Sequence, residues 1–199
     1  PSAQVIDGSL KFDRLVGGGT AAGYSYLTRT PSAGNRKTWT ISFWVKRGHL
    51  GGADNDEKQK VIIATTGTSN GDYFSMIFNG VGGEILDVTQ YLQSTLKTNR
   101  VFRDPNAWMH ILLFYDVDNA TASDRAQLYI NGVRETSFST SNISTMSGDY
   151  GYNRAAAHYI GVNANVQDRQ YFDGQLSQFY SIDGQALGPE YFGFTDPLT

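Results

Sequence analysis

The stretch from Trp108 to Thr136 constrains the fold more than any other part of the chain. It opens with Ile111-Leu112-Leu113-Phe114-Tyr115, too short for a typical helix and rich in branched and aromatic residues. Such a run suits a strand buried on both faces. A polar break from Asp116 to Asp124 follows. Ala126, Leu128 and Ile130 then alternate with Gln127 and Tyr129, the period of a half-buried strand. Asn131-Gly132 supplies the two positive φ values of a type I′ turn, so a hairpin is expected here.

Elsewhere the chain repeats this character. Its 199 residues include 22 glycines, 12 tyrosines and 11 phenylalanines, a pattern of many turns between short aromatic strands. This length suits a single all-β domain spanning 1–199. A net charge of −3 with no run of lysine or arginine argues against nucleic acid as a partner. No segment approaches the roughly 20 apolar residues of a membrane span. Cysteine is absent, which fits assembly in a reducing cytoplasm and equally fits a core large enough to need no disulfides. The sequons at Asn119 and Asn142 read as chance. Pro1 at one end and a loop-like Asp196-Pro197 at the other lead us to expect a module of a longer polypeptide.

Taken in order, strands are expected at Ser9–Asp13, Tyr24–Thr28 and Thr38–Lys46. In the last of these Trp39, Ile41, Phe43 and Val45 share one face, and Trp44 on the other is expected to be buried. Further strands fall at Val61–Thr65, Tyr73–Asn79, Glu84–Val88, Ser94–Thr98 and His158–Val162. Ser137–Ala157 reads as a long polar surface connection. Tyr171–Asp183 is the last long strand, with Leu176 and Phe179 out of phase, which predicts a β-bulge between them. One helical turn is expected within Ala186–Phe192.

Three phrases carry a resemblance. Thr40-Ile41-Ser42-Phe43-Trp44-Val45-Lys46 resembles a strand of the laminin-G-like, concanavalin A-like jelly rolls. Trp108-Met109-His110-Ile111, Tyr115-Asp116 and Leu128-Tyr129-Ile130-Asn131-Gly132-Val133 resemble the core of the same family. Phe172-Asp173-Gly174-Gln175-Leu176, followed by Phe179 and Ala186-Leu187, resembles its closing segment. A narrower likeness links Thr30-Pro31 with Gly34 to Thr40, Phe102 to Pro105, Ile182 to Leu187 and Phe192-Gly193-Phe194 with Asp196-Pro197 to modules of structural proteins in marine tailed phages. The resemblance implies a two-sheet antiparallel jelly-roll sandwich that binds glycans, cell-surface proteins or neighbouring virion subunits. It leaves the site itself to be argued separately.

Catalytic patterns are missing. A glycosidase needs two flanking carboxylates, yet Glu57, Glu84, Glu135 and Glu190 stand apart from one another. His49, His110 and His158 fall on different elements, and no zinc spacing occurs. His110 is expected to be a hydrogen-bonded structural residue. Asp54, Asp56 and Glu57, or Asn163, Asn165 and Asp168, could supply oxygens to calcium, but no EF-hand pattern is present and solvated acidic loops are the simpler reading. No cofactor is expected.

Ligand contacts are sought in loops that mix amides, acids and aromatics, which can bond sugar hydroxyls while a ring covers the apolar sugar face. Asn70, Asp72 and Tyr73 form one such loop; Asn163, Asn165, Asp168, Arg169 and Tyr171 form another. The expectation is a non-enzymatic virion-surface module, in a capsid decoration or spike or a tail fibre, binding host-surface glycans or other surface ligands through many copies. Other virion subunits would be its partners and the bacterial cytoplasm its place of assembly. The alternatives are a purely structural virion module and, third, a polysaccharide-degrading enzyme.

Overall fold

The computed structural model describes residues 7–13, 25–50, 59–69, 71–80, 84–90, 93–163 and 170–193. Among the described residues, thirteen strands build two antiparallel sheets. The first sheet orders β1 (Leu10–Phe12), β13 (Gly174–Asp183), β3 (Thr38–Arg47), β8 (Trp108–Asp116), β9 (Ala126–Ile130) and β10 (Val133–Arg134). The second orders β11 (Phe138–Ser141), β7 (Gln93–Val101), β6 (Ile85–Gln90), β5 (Ser75–Asn79), β4 (Gln59–Thr65), β12 (His158–Ile160) and β2 (Leu27–Arg29). The architecture is the jelly-roll sandwich that the sequence predicts.

The predicted hairpin forms. Ile130 pairs with Val133 around Asn131 (φ 51°) and Gly132 (φ 76°). Burial along β9 alternates as expected, whereas the interior of β8 is buried on both faces. The predicted bulge also forms: the β13–β3 register shifts between Ser177 and Tyr180, with Gln178 at φ 48°. The last helical turn is a short 3-10 turn at Pro189–Tyr191.

Between the sheets, Trp39, Ile41, Phe43 and Val45 of β3 meet Phe74, Met76, Phe78, Leu86, Val88 and Leu96 in one continuous core. Trp39 is its hub, with its indole against Tyr115 (4.3 Å between ring centroids), Tyr152 (4.8 Å) and Phe74 (5.4 Å). At the other end of β3 the buried Arg47 guanidinium donates to Phe102 O and pairs with Glu84, lying 4.4 Å from the Phe78 ring.

Two expectations need correction. Ser137–Ala157 is more than a surface connection: it contributes β11, and it buries Ile143, Met146, Tyr152 and Asn153. Its polar composition hides apolar residues spaced too irregularly to register as a strand or helix. Trp44 is half-buried, its ring 5.3 Å from His110 on the outer face of the six-stranded sheet. The chain after β13 lies across that face, so Thr40 Oγ1 donates to Gln185 O (2.7 Å) and accepts from Leu187 N (2.9 Å). Phe192 there approaches Tyr180 (5.9 Å) and His110 (6.5 Å). Trp44 is thus flanked by the chain's own tail without being enclosed.

Candidate functional site

The 66–73 loop is held by arginines from other elements. Arg154 Nη1 donates to Asp72 O (2.7 Å) and Thr66 O (3.0 Å), and lies 3.8 Å from Asp72 Oδ2. Arg36 donates to Gly71 O and to Tyr150 O. Burial works against the Asp72 carboxylate, but hydrogen bonds from Ser69 and Thr68, with Arg154 nearby, hold it below its ordinary range. Gly151 fits where a Cβ would collide with the Tyr73 main chain, so a side chain there would displace this loop.

Across that loop stands the second one singled out from sequence. Asn163 Nδ2 donates to Tyr73 Oη (2.8 Å), a contact between residues 90 apart in the chain, and to Gln170 Oε1 (2.6 Å). Burial pushes the Tyr73 phenol up, opposed by hydrogen bonds with Ser75 and Asn163. Tyr171 is buried and bridges to Val162. The structure therefore brings together Asp72, Tyr73, Asn163 and Tyr171, while Asn70, Asn165, Asp168 and Arg169 lie outside the described residues. The calcium candidates Asp54, Asp56 and Glu57 also lie outside them. No cluster of three metal-ligating side chains occurs among the described residues.

Tyr73 leads into the outer face of the seven-stranded sheet. There Ala64 and Ile77 make a small apolar floor separate from the main core. Beside it the buried Asp87 carboxylate is held by Thr89 Oγ1 (3.2 Å), Asn79 Nδ2 (3.4 Å) and Lys97 Nζ (3.6 Å). On the other side Tyr159 packs near Tyr26, with ring centroids 6.1 Å apart and Tyr26 46% exposed. The face thus offers an open aromatic pair, a short apolar floor and a bound polar cluster. Sequence reasoning missed Tyr26 and Tyr159 as site residues, although each lies in or beside a predicted strand whose other face is apolar.

The family phrases account for packing, not for the site. His110 Nε2 lies 2.8 Å from Ser42 Oγ, and His110 N donates to Asn131 Oδ1 (2.8 Å), locking the hairpin turn onto β8. His110 is the structural histidine expected. Asp183 Oδ1 accepts from Asn35 N (2.7 Å) and Asn153 Nδ2 (3.1 Å), which ties the 34–38 phrase to the 182–187 phrase.

Burial holds both His110 and His158 below the ordinary 6.5; for His158 the Ala156 carbonyl partly opposes this and Arg154 adds to it. The unfolded chain therefore protonates first as pH falls. Stability from these groups is present in full above about pH 6.5 and is lost as pH drops below it. Calorimetry between pH 8 and 5 is expected to record a falling Tm below about 6.5, with a shallower slope for His158→Gln.

This sandwich and its rim define a lectin-type jelly roll. The chain belongs to the concanavalin A-like lectin/glucanase superfamily, whose Laminin_G_3 sequence profile matches residues 19–190. Among solved structures it is similar to a heptameric SAP-like pentraxin from Limulus polyphemus (TM-score 0.54, 16% identity, 83% of this chain and 72% of that one). It is also similar to domain 4 of AbnA, a GH43 extracellular arabinanase from Geobacillus stearothermophilus, in complex with arabinotriose (0.54, 20%, 80% and 65%). A third is the Ruminococcus gnavus IT-sialidase CBM40 bound to α2,3 sialyllactose (0.51, 14%, 86% and 97%). No curated protein matches significantly in sequence. At these identities the likeness carries the fold alone. No helix among the described residues is long and apolar enough to cross a membrane.

Proposed function

We propose that this domain is a non-enzymatic recognition module that binds a glycan at the rim and outer face of the seven-stranded sheet. The observation that carries the reading is the meeting of two loops distant in sequence, sealed by the Asn163–Tyr73 hydrogen bond beside Asp72. Next to them the exposed Tyr26 and its neighbour Tyr159 offer aromatic surface to a sugar ring. Two of the similar structures hold oligosaccharides, which agrees with a sugar as the ligand class.

Catalysis is disfavoured because both carboxylates near this face are tied down, Asp87 by Thr89, Asn79 and Lys97 and Asp72 by Ser69 and Arg154. Hydrolysis needs a second carboxylate placed to flank the scissile bond. Modest affinity at one site would become firm attachment only through display of many copies. A virion surface is one such setting, with other virion subunits as partners and a bacterial cytoplasm as the place of assembly. That setting rests on the sequence phrases alone; the family and the similar structures do not point to a virion.

The test is a glycan panel probed with multivalent protein, with and without a calcium chelator, followed by titration of any hit. Saturable binding is expected, weakened about tenfold by Tyr26→Ala, the loss of one stacked ring. No binding under multivalent display overturns the reading and leaves a structural module. Turnover of a polysaccharide revives the enzyme.

A further inference from the structure

The open side of the sandwich, away from the proposed glycan face, carries a second candidate site. Here β2 and β12 of one sheet face β13 and β1 of the other without closing on them. A groove of about 390 Å³ runs past Arg29, Asn153, His158 and Ser181. A second of about 300 Å³ runs past Leu10, Phe12, Leu176 and Gln178. Leu27, Ile160 and Phe179 line both, so the two meet end to end.

The groove is amphipathic along its length. Register pairs His158 with Arg29 and Ile160 with Leu27, which puts these four side chains on one face, opposite Tyr26 and Tyr159. Its polar end holds Arg29, whose guanidinium has no ion pair or hydrogen-bond partner among the described residues. At the same end several other polar groups bond one another. His158 Nδ1 lies 2.8 Å from Ala156 O, His158 Nε2 accepts from Asn153 N (3.1 Å), and Ser181 Oγ bonds Tyr152 Oη (2.8 Å). Asp183, which Asn153 also contacts, has its Oδ1 engaged by Asn35 and Asn153. Among the described residues that line the groove, Arg29 carries the one permanent charge. The far end is apolar, with Leu10 56% and Leu27 46% exposed. From Ser181 to Leu176 the groove follows β13 for about 16 Å at roughly 3.3 Å per residue.

We propose that this groove binds an anionic amphiphile, a linear alkyl or acyl chain ending in a carboxylate. The chain would lie along Phe179, Leu27, Ile160 and Leu10, and the carboxylate would take the Arg29 guanidinium, whose fork matches it in geometry and charge. A purely apolar ligand would leave Arg29 unmatched. A sugar would find apolar walls where it needs polar partners. The size lies within the range of small-molecule sites. This inference is independent of the glycan reading, because the two sites occupy opposite faces of β2 and β12.

The experiment uses the whole chain and cis-parinaric acid, a long-chain fatty acid that fluoresces when taken out of water. Saturable enhancement is expected, displaced by palmitate and poorly by hexadecanol. Arg29→Gln is expected to weaken binding about tenfold, the loss of one charge-assisted contact. Leu27→Asp, which sets a carboxylate in the apolar channel at a half-exposed position, is expected to abolish it, and both variants should melt as the parent does. Absence of saturable enhancement overturns the proposal. So does displacement by hexadecanol as readily as by palmitate, or unchanged binding in either variant.

Discussion

Replacing Glu84 by alanine is expected to destabilise the domain by about 3–5 kcal/mol, the range for stranding one partner of a buried ion pair. Arg47 ends β3 of the first sheet and Glu84 immediately precedes β6 of the second, so the pair is a crosslink between them. The Arg47 side chain is fully buried, and burial pulls its guanidinium down from the ordinary value while Glu84 pushes back. With Glu84 gone, the charge would keep, among the described residues, only Phe102 O and the Phe78 ring. For a chain of this length the loss corresponds to a fall in Tm of about 10 °C, measurable by calorimetry. Two further variants separate charge from backbone. Glu84 sits at φ 72°, so Glu84→Gly loses the same ion pair but relieves about 1–2 kcal/mol of left-handed strain, and should melt above Glu84→Ala. The double variant Arg47→Met with Glu84→Gln removes both charges and is expected to recover most of the loss. A Glu84→Ala protein that melts with the parent would mean that the pair contributes nothing.

That crosslink also marks where sequence reasoning stops. Local patterns were legible because they depend on neighbours: the Asn131-Gly132 turn, the alternation of Ala126 to Ile130, and the phase slip from Leu176 to Phe179 that becomes the bulge. Arg47 and Glu84, 37 residues apart, each look like a solvated charge at a strand end. Only the stacking of two sheets turns them inward. The candidate site divides in the same way. Amide and acid composition pointed to the 70–73 and 163–171 loops, and the fold joins them through Asn163 and Tyr73. Composition could not reveal that Tyr26 and Tyr159 would stand together, since that depends on β2 pairing with β12 across a long excursion of chain. Arg29 at the groove went unnoticed for the same reason. Its meaning comes from β12 beside it and β13 across the gap, not from its own neighbours in sequence.

Trp39→Ala is expected to cost about 3–5 kcal/mol, the largest effect of any single core truncation here. The indole is fully buried and touches Tyr115 of β8, Phe74 just before β5 and Tyr152 of the 137–157 segment. Removing it would leave a cavity that three rings in fixed contacts cannot collapse to fill. Trp39→Phe is a sharper test, because Trp39 Nε1 is buried without a hydrogen-bond partner among the described residues. Phenylalanine keeps much of the ring packing and removes that orphan donor, whose burial costs about 1–3 kcal/mol, so less than half of the alanine loss is expected. The same logic applies to Tyr115, whose hydroxyl lies near Thr95 and Gln90 without bonding geometry to either, and whose phenol burial raises far above the ordinary value. Tyr115→Phe should therefore be close to neutral by denaturant titration. Were Trp39→Phe as damaging as Trp39→Ala, the indole nitrogen would have to be satisfied, most simply by a buried water.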